Sequence, residues 1–95
     1  GYAVVTCAAA KDAWRVLAAD ASRIDLILID HLMAEMSGAE FIRRARELDP
    51  EIASIIMTGN LGEIEALERQ GFKVVAKPFD SADLVETIRA QLRAR

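Results

Sequence analysis

The chain has 95 residues, 53% hydrophobic and 28% charged, with 2 Pro and 5 Gly; that is enough apolar material for one compact core, too little chain for a two-domain enzyme, and neither a disordered nor a collagen-like composition. Twelve Lys and Arg against fifteen Asp and Glu give a net charge of −3, so there is no basic excess to neutralise a phosphate backbone and direct nucleic-acid binding is not expected.

The sequence predicts a first strand over residues 2–6, a short run rich in Val. It leads into Cys7, the sole cysteine, which is expected to be a small buried hydrophobe. One Cys and one His supply neither an intrachain disulfide nor a zinc site, which fits a reducing, cytoplasmic setting. Residues 1–10 also lack the charged start of a signal peptide, and no apolar run is long enough to cross a bilayer. Helical spacing follows at Ala13, Trp14, Leu17 and Ala21, with Trp14 expected in the core.

A second strand is predicted over residues 24–29, then a helix with its apolar stripe at Phe41, Ile42, Ala45 and Leu48. Ser37 and Glu40 are spaced as N-cap and N3 of that helix, and Pro50 follows its end. The third strand spans residues 52–57, and a helix carrying Ile64 and Leu67 follows, with Asn60 and Glu63 at the cap spacing and Gly71 as a left-handed stop. The last strand covers residues 72–76, and the final helix turns Leu84, Val85, Ile88 and Leu92 to one side. These strands lack polar alternation, as expected of a parallel sheet covered on both faces, and strand alternating with helix predicts an α/β fold with right-handed crossovers.

In open parallel sheets, reacting groups gather at the carboxyl ends of the strands. Asp30 ends one apolar run, Thr58 ends the next and Lys77 ends the last. A lone Asp, Thr or Lys after a strand reads as a turn residue or a solvated charge. The three together place a carboxylate, a hydroxyl and an ammonium on one rim.

With Asp25 to Asp30, Met33, Met36-Ser37-Gly38, Met57-Thr58-Gly59 and Lys77-Pro78-Phe79 in this order, the sequence resembles the receiver domain of two-component response regulators over its whole length. The resemblance implies a flavodoxin-like, doubly wound parallel sheet forming a single receiver-like domain over residues 1–95. It further implies Asp30 as phosphoacceptor, Thr58 as switch hydroxyl, Lys77 as the cation contacting the phosphoryl group, and a cis peptide bond between Lys77 and Pro78. The cofactor implied is Mg²⁺, held by Asp30 and the backbone carbonyl of Leu32. The implied partner is a histidine kinase or a histidine phosphotransfer protein, and the implied output is signalling rather than enzymatic turnover.

Several features depart from that pattern. The family's first strand, with its pair of acidic residues, and its first helix have no counterpart here, which leaves four strands and four helices and a weak Mg²⁺ site. In the family order two-one-three-four-five, the absent strand would leave a gap of roughly 10 Å between the strands at 2–6 and 24–29. A preceding segment is the favoured explanation. The alternative is closure of the gap, by direct pairing of the flanking strands or by strand exchange in a homodimer. Ala34 stands where the family usually has Pro, Val74 where it usually has an aromatic, and the interval from Thr58 to Lys77 is about one helical turn short. His31 is expected to be exposed or partner-facing, and Arg43, Arg44, Arg46, Arg89, Arg93 and Arg95 to lie on solvated helix faces.

The reading is thus a phosphate-accepting receiver. Its rivals are a degenerate, phosphorylation-independent receiver-like module for protein interaction or dimerisation, and an aspartate-nucleophile phosphatase. The last is opposed by Leu32, which occupies the place of that class's second Asp.

Overall fold

The computed structural model describes residues 4–7, 10–19, 24–33 and 35–94. In chain order the elements are β1 (Val4–Cys7), α1 (Ala10–Ala19), β2 (Leu26–Asp30), α2 (Gly38–Leu48), β3 (Ala53–Thr58), α3 (Leu61–Arg69), β4 (Val74–Ala76) and α4 (Ser81–Ala94). All eight predicted elements are present, with ends displaced by one or two residues where they can be compared. The expectations for Tyr2, Ala21, Ala34, Arg95 and the side chain of Cys7 lie outside the described residues.

The strands form one parallel sheet in the order β1-β2-β3-β4. The gap expected between the first two strands is not formed: β1 pairs directly with β2, with Val4 opposite Leu26 and Cys7 opposite Ile29. Direct pairing gives one edge of each strand its hydrogen-bond partners, whereas a gap would strand two rows of backbone donors and acceptors. With consecutive strands adjacent, right-handed crossovers place α1, α2 and α3 together on one face. Their side chains pack there around Leu17, Ile27, Ile29, Phe41, Ile42, Ile56, Leu67 and Phe72. The opposite face carries Leu26, Leu28, Ala53 and Ile55 beneath α4, which contributes Leu92 fully and Leu84 and Ile88 in part.

The helix ends follow their sequence signals. Ser37 Oγ accepts the Glu40 amide at 3.1 Å and Asn60 Oδ1 accepts the Glu63 amide at 3.1 Å. The reciprocal half of each box does not form: Glu40 turns outward to Arg43 and Arg44, and Glu63 turns to Thr58. At the end of α3, the Phe72 amide donates to Leu67 O at 3.1 Å and the Gly71 amide to Glu68 O at 3.0 Å, with Gly71 at φ 94°. This is a Schellman stop, closed by Leu67 and Phe72 within the same apolar cluster. Because a Cβ in the left-handed region costs about 1–2 kcal/mol, Gly71→Ala is expected to lower the unfolding free energy by that amount, read as a lower urea midpoint at unchanged slope. An unshifted midpoint would refute the assignment.

Three side chains expected in the core are not enclosed. Trp14 is 36% exposed, Leu48 50% and Val85 45%. Trp14 lies at the margin of the α1–α2 seam, edge-on to Phe41 with ring centroids 5.9 Å apart. Leu48 is in the last turn of α2, and Val85 is on the flank of α4, which turns Leu84, Ile88 and Leu92 to the sheet. Two of the arginines expected to be solvated do more than that. Arg43 and Arg46 place their guanidinium groups 5.5 and 5.2 Å from the centre of the Phe72 ring, and Arg43 donates to Gln70 at 2.6 Å. They tie α2 to the turn between α3 and β4.

Candidate functional site

The three rim residues are placed by strand register. Asp30 is the last residue of β2 and pairs with Met57; Thr58 is the last residue of β3 and pairs with Ala76, directly before Lys77. The ladder continues past the strands, since the His31 amide donates to Met57 O and the Lys77 amide to Thr58 O, both at 2.9 Å. β3 therefore holds the segments bearing Asp30 and Lys77 on either side of its carboxyl end, Asp30 level with Met57 and Lys77 one residue past the partner of Thr58. The Lys77-Pro78 peptide bond is cis.

Across this rim the Lys77 ammonium forms an ion pair with Asp30 Oδ1. The Asp30 side chain is 25% exposed and that of Lys77 43%, so the carboxylate is reachable from solvent while held beside a cation. A pair so open to water adds little stability, on the order of 0–1 kcal/mol. It sets a local charge pattern, an anionic oxygen next to a positive group.

Thr58 reaches the same rim but faces the other way. Successive side chains of a strand alternate between faces. Met57 packs with the α4-side cluster and Ile56 with the cluster under α1–α3, so alternation carries Thr58 toward α3. It is 4% exposed there. Its hydroxyl donates to Glu63 Oε2 at 2.8 Å and accepts the Asn60 amide at 3.2 Å. The expected convergence of three groups is thus realised for Asp30 and Lys77, while the Thr58 hydroxyl is bonded to the first turn of α3. Sequence reasoning read Glu63 only as a cap residue, and its spacing of five from Thr58 was the available signal.

A close backbone approach holds the start of α2 against the segment bearing Asp30. Gly38 opens α2 with its amide donating to His31 O at 2.9 Å. A Cβ at this position would lie 2.7 Å from Asp30 O and 3.1 Å from His31 Cα. Only glycine lets the helix start directly against the segment bearing Asp30.

His31 is more enclosed than expected. It is half-buried, and its Nδ1 is buried without a hydrogen-bond partner. It borders a cleft of about 220 Å³ between α2 and α3, also lined by Ser37, Arg43, Glu63 and Gln70. Leu32, by contrast, extends its side chain into solvent at 77% exposure.

The residues around Asp30 do not by themselves fit a Mg²⁺ site. Among the described residues, no three His, Cys, Asp or Glu side chains are grouped to hold a metal. The Asp30 carboxylate is already paired with the Lys77 ammonium. Asp30 with the Leu32 carbonyl would offer two protein oxygens to an ion that demands six ligands and gives up water reluctantly. Among the described residues, no helix is long and apolar enough to cross a membrane.

Comparison with known proteins adds an independent line. The family profile described as response regulator receiver domain matches residues 1–89. The chain is 30% identical over 97 residues to the DNA-binding transcriptional regulator NtrC of Azospirillum brasilense, covering 99% of this chain and 20% of that protein. It is 32% identical over 91 residues to the transcriptional regulatory protein GlrR of Escherichia coli K12, covering 93% and 20%. With the response regulator receiver protein CpdR of Brucella abortus, identity is 38% over 72 residues, 73% of this chain and 60% of that one. The chain therefore spans only part of each of these relatives. Among solved structures, a response regulator receiver domain protein from Clostridium thermocellum superposes with a TM-score of 0.81 at 22% identity, covering 95% of this chain and 74% of the other. A CheY-like receiver domain protein from Methanospirillum hungatei gives 0.68 at 20% identity, covering 99% and 96%. At these identities, the superpositions speak to the fold.

Proposed function

The chain belongs to the response regulator receiver domain family of two-component signalling, and from that premise we propose that Asp30 accepts a phosphoryl group from a histidine kinase or histidine phosphotransfer protein. The observation that carries the proposal is the Asp30–Lys77 ion pair at the carboxyl rim of the sheet. An Asp30 carboxylate oxygen attacks the phosphorus of an N-phosphorylated imidazole. The O–P bond forms as the N–P bond breaks, and the electron pair stays on the imidazole nitrogen, which takes a proton from solvent. Charge develops on the equatorial phosphoryl oxygens, and Lys77 stands beside the attacking oxygen to neutralise part of it. The product is an acyl phosphate, and its new dianionic group is the signal.

Receiver domains generally bind Mg²⁺, but the described residues do not by themselves build its site. Neutralisation by Lys77 alone is weaker than by a cation pair, so uptake is expected to be slow. Residues 1–95 act in this reading as one receiver unit in the cytoplasm.

The test is intact mass after incubation with a small acyl-phosphate donor, with and without Mg²⁺ in the buffer. A gain of one phosphoryl group that hydroxylamine removes is the expected result. No gain with any donor would overturn the phosphoacceptor role and leave the phosphorylation-independent interaction module. Continuous phosphate release would point instead to a phosphatase.

A further inference from the structure

We infer that Glu63 is a positioning residue that holds the Thr58 hydroxyl in a resting orientation and so competes with a phosphoryl group on Asp30. The inference rests on the phosphoacceptor reading above. Thr58 has a single hydroxyl proton to donate, and in this structure it goes to Glu63 Oε2 at 2.8 Å. A phosphoryl oxygen is also a pure acceptor. It can engage Thr58 only by accepting the hydrogen bond that Thr58 now donates to Glu63, so the two bonds exclude one another.

The local geometry fixes this arrangement. Asn60 caps α3 by accepting the Glu63 amide, which pins the Glu63 backbone three residues beyond the cap. From there the carboxylate would ordinarily return to the Asn60 amide. That amide instead donates to Thr58 Oγ1 at 3.2 Å. The Thr58 hydroxyl is thereby inserted into the capping box between Asn60 N–H and the Glu63 carboxylate, receiving from one and donating to the other. Thr58 is buried and Glu63 half-buried, which favours a hydrogen bond to a charged acceptor over one to water. Turning Thr58 toward Asp30 gives up both of these bonds, for which the direct capping-box bond from the Asn60 amide to the Glu63 carboxylate can return only one, and that net loss opposes the active state.

Two measurements on the 95-residue chain decide the matter. The first needs no anion: side-chain scalar couplings of Thr58 should report one rotamer in the wild type and in Glu63→Gln, which retains an acceptor oxygen, and averaging in Glu63→Ala. Unchanged couplings in Glu63→Ala would overturn the inference. The second titrates beryllofluoride, a tetrahedral phosphoryl mimic, with Mg²⁺ in the buffer. Glu63→Ala should bind about tenfold tighter, the scale of one hydrogen bond to a charged acceptor. In a Thr58→Ala background the same substitution should add nothing. Equal tightening in that background would assign the effect to simple charge repulsion and overturn the inference, as would no tightening at all. A wild-type chain that takes up neither phosphoryl group nor beryllofluoride overturns the phosphoacceptor reading and with it the regulatory meaning of Glu63. The coupling measurement then still judges the hydrogen bond separately.

Discussion

Asp30→Asn is expected to abolish phosphoryl uptake completely while leaving the fold within about 1 kcal/mol of the wild type. The two halves of that expectation have separate causes. An amide oxygen is a poor nucleophile and cannot yield an acyl phosphate, so no residual labelling should remain at this position. The stability change is small because the ion pair lost is open to water on both sides, at 25% exposure for Asp30 and 43% for Lys77. The Asn carbonyl can also still accept from the ammonium. Intact mass after donor treatment and a urea unfolding curve on the same preparation measure both. Labelling that survives in Asp30→Asn would place the phosphoacceptor elsewhere, and a loss of several kcal/mol would make the pair structural.

The second large effect is expected from Gly38→Ala, a substitution that touches no charged group. The added carbon would sit 2.7 Å from Asp30 O and 3.2 Å from Asp30 C, both backbone atoms that cannot turn aside. Either α2 lifts from the sheet, losing the Gly38 amide bond to His31 O, or the end of β2 moves. Overpacking of this kind costs typically about 1–3 kcal/mol. A displacement near 1 Å at a reacting group costs up to about a hundredfold in rate. Gly38→Ala should therefore lower both the urea midpoint and the labelling rate. Gly59→Ala is the control at the same rim, because its Cβ would meet Lys77 O and Cβ only at 3.9 and 4.0 Å, an ordinary contact. If both variants label at the wild-type rate, the close approach of α2 has no part in positioning Asp30.

The division between what was legible in the chain and what was not follows from the range of the forces involved. Strand and helix identity, the Ser37 and Asn60 caps, the Gly71 stop and the rim placement of Asp30 and Lys77 were readable. Each depends on apolar periodicity or on backbone preferences acting over a few neighbouring residues. The exposure of Trp14, Leu48 and Val85 was not readable, because an apolar stripe says which side of a helix turns inward and nothing about how far the neighbouring element extends over it. Likewise, Arg43 and Arg46 carry no mark in the sequence to show that the Phe72 ring lies within reach.

The chain alone determined the order of elements and the three rim residues, since a parallel sheet brings the residues after each strand to one edge whatever else surrounds them. Tertiary structure alone decided two things: that β1 pairs directly with β2, and that Thr58 is bonded to Glu63 while Lys77 takes Asp30. Both turn on competition between partners. Strand edges must find backbone to pair with, and one hydroxyl proton can satisfy a single acceptor, so the outcome depends on which group the fold brings nearest.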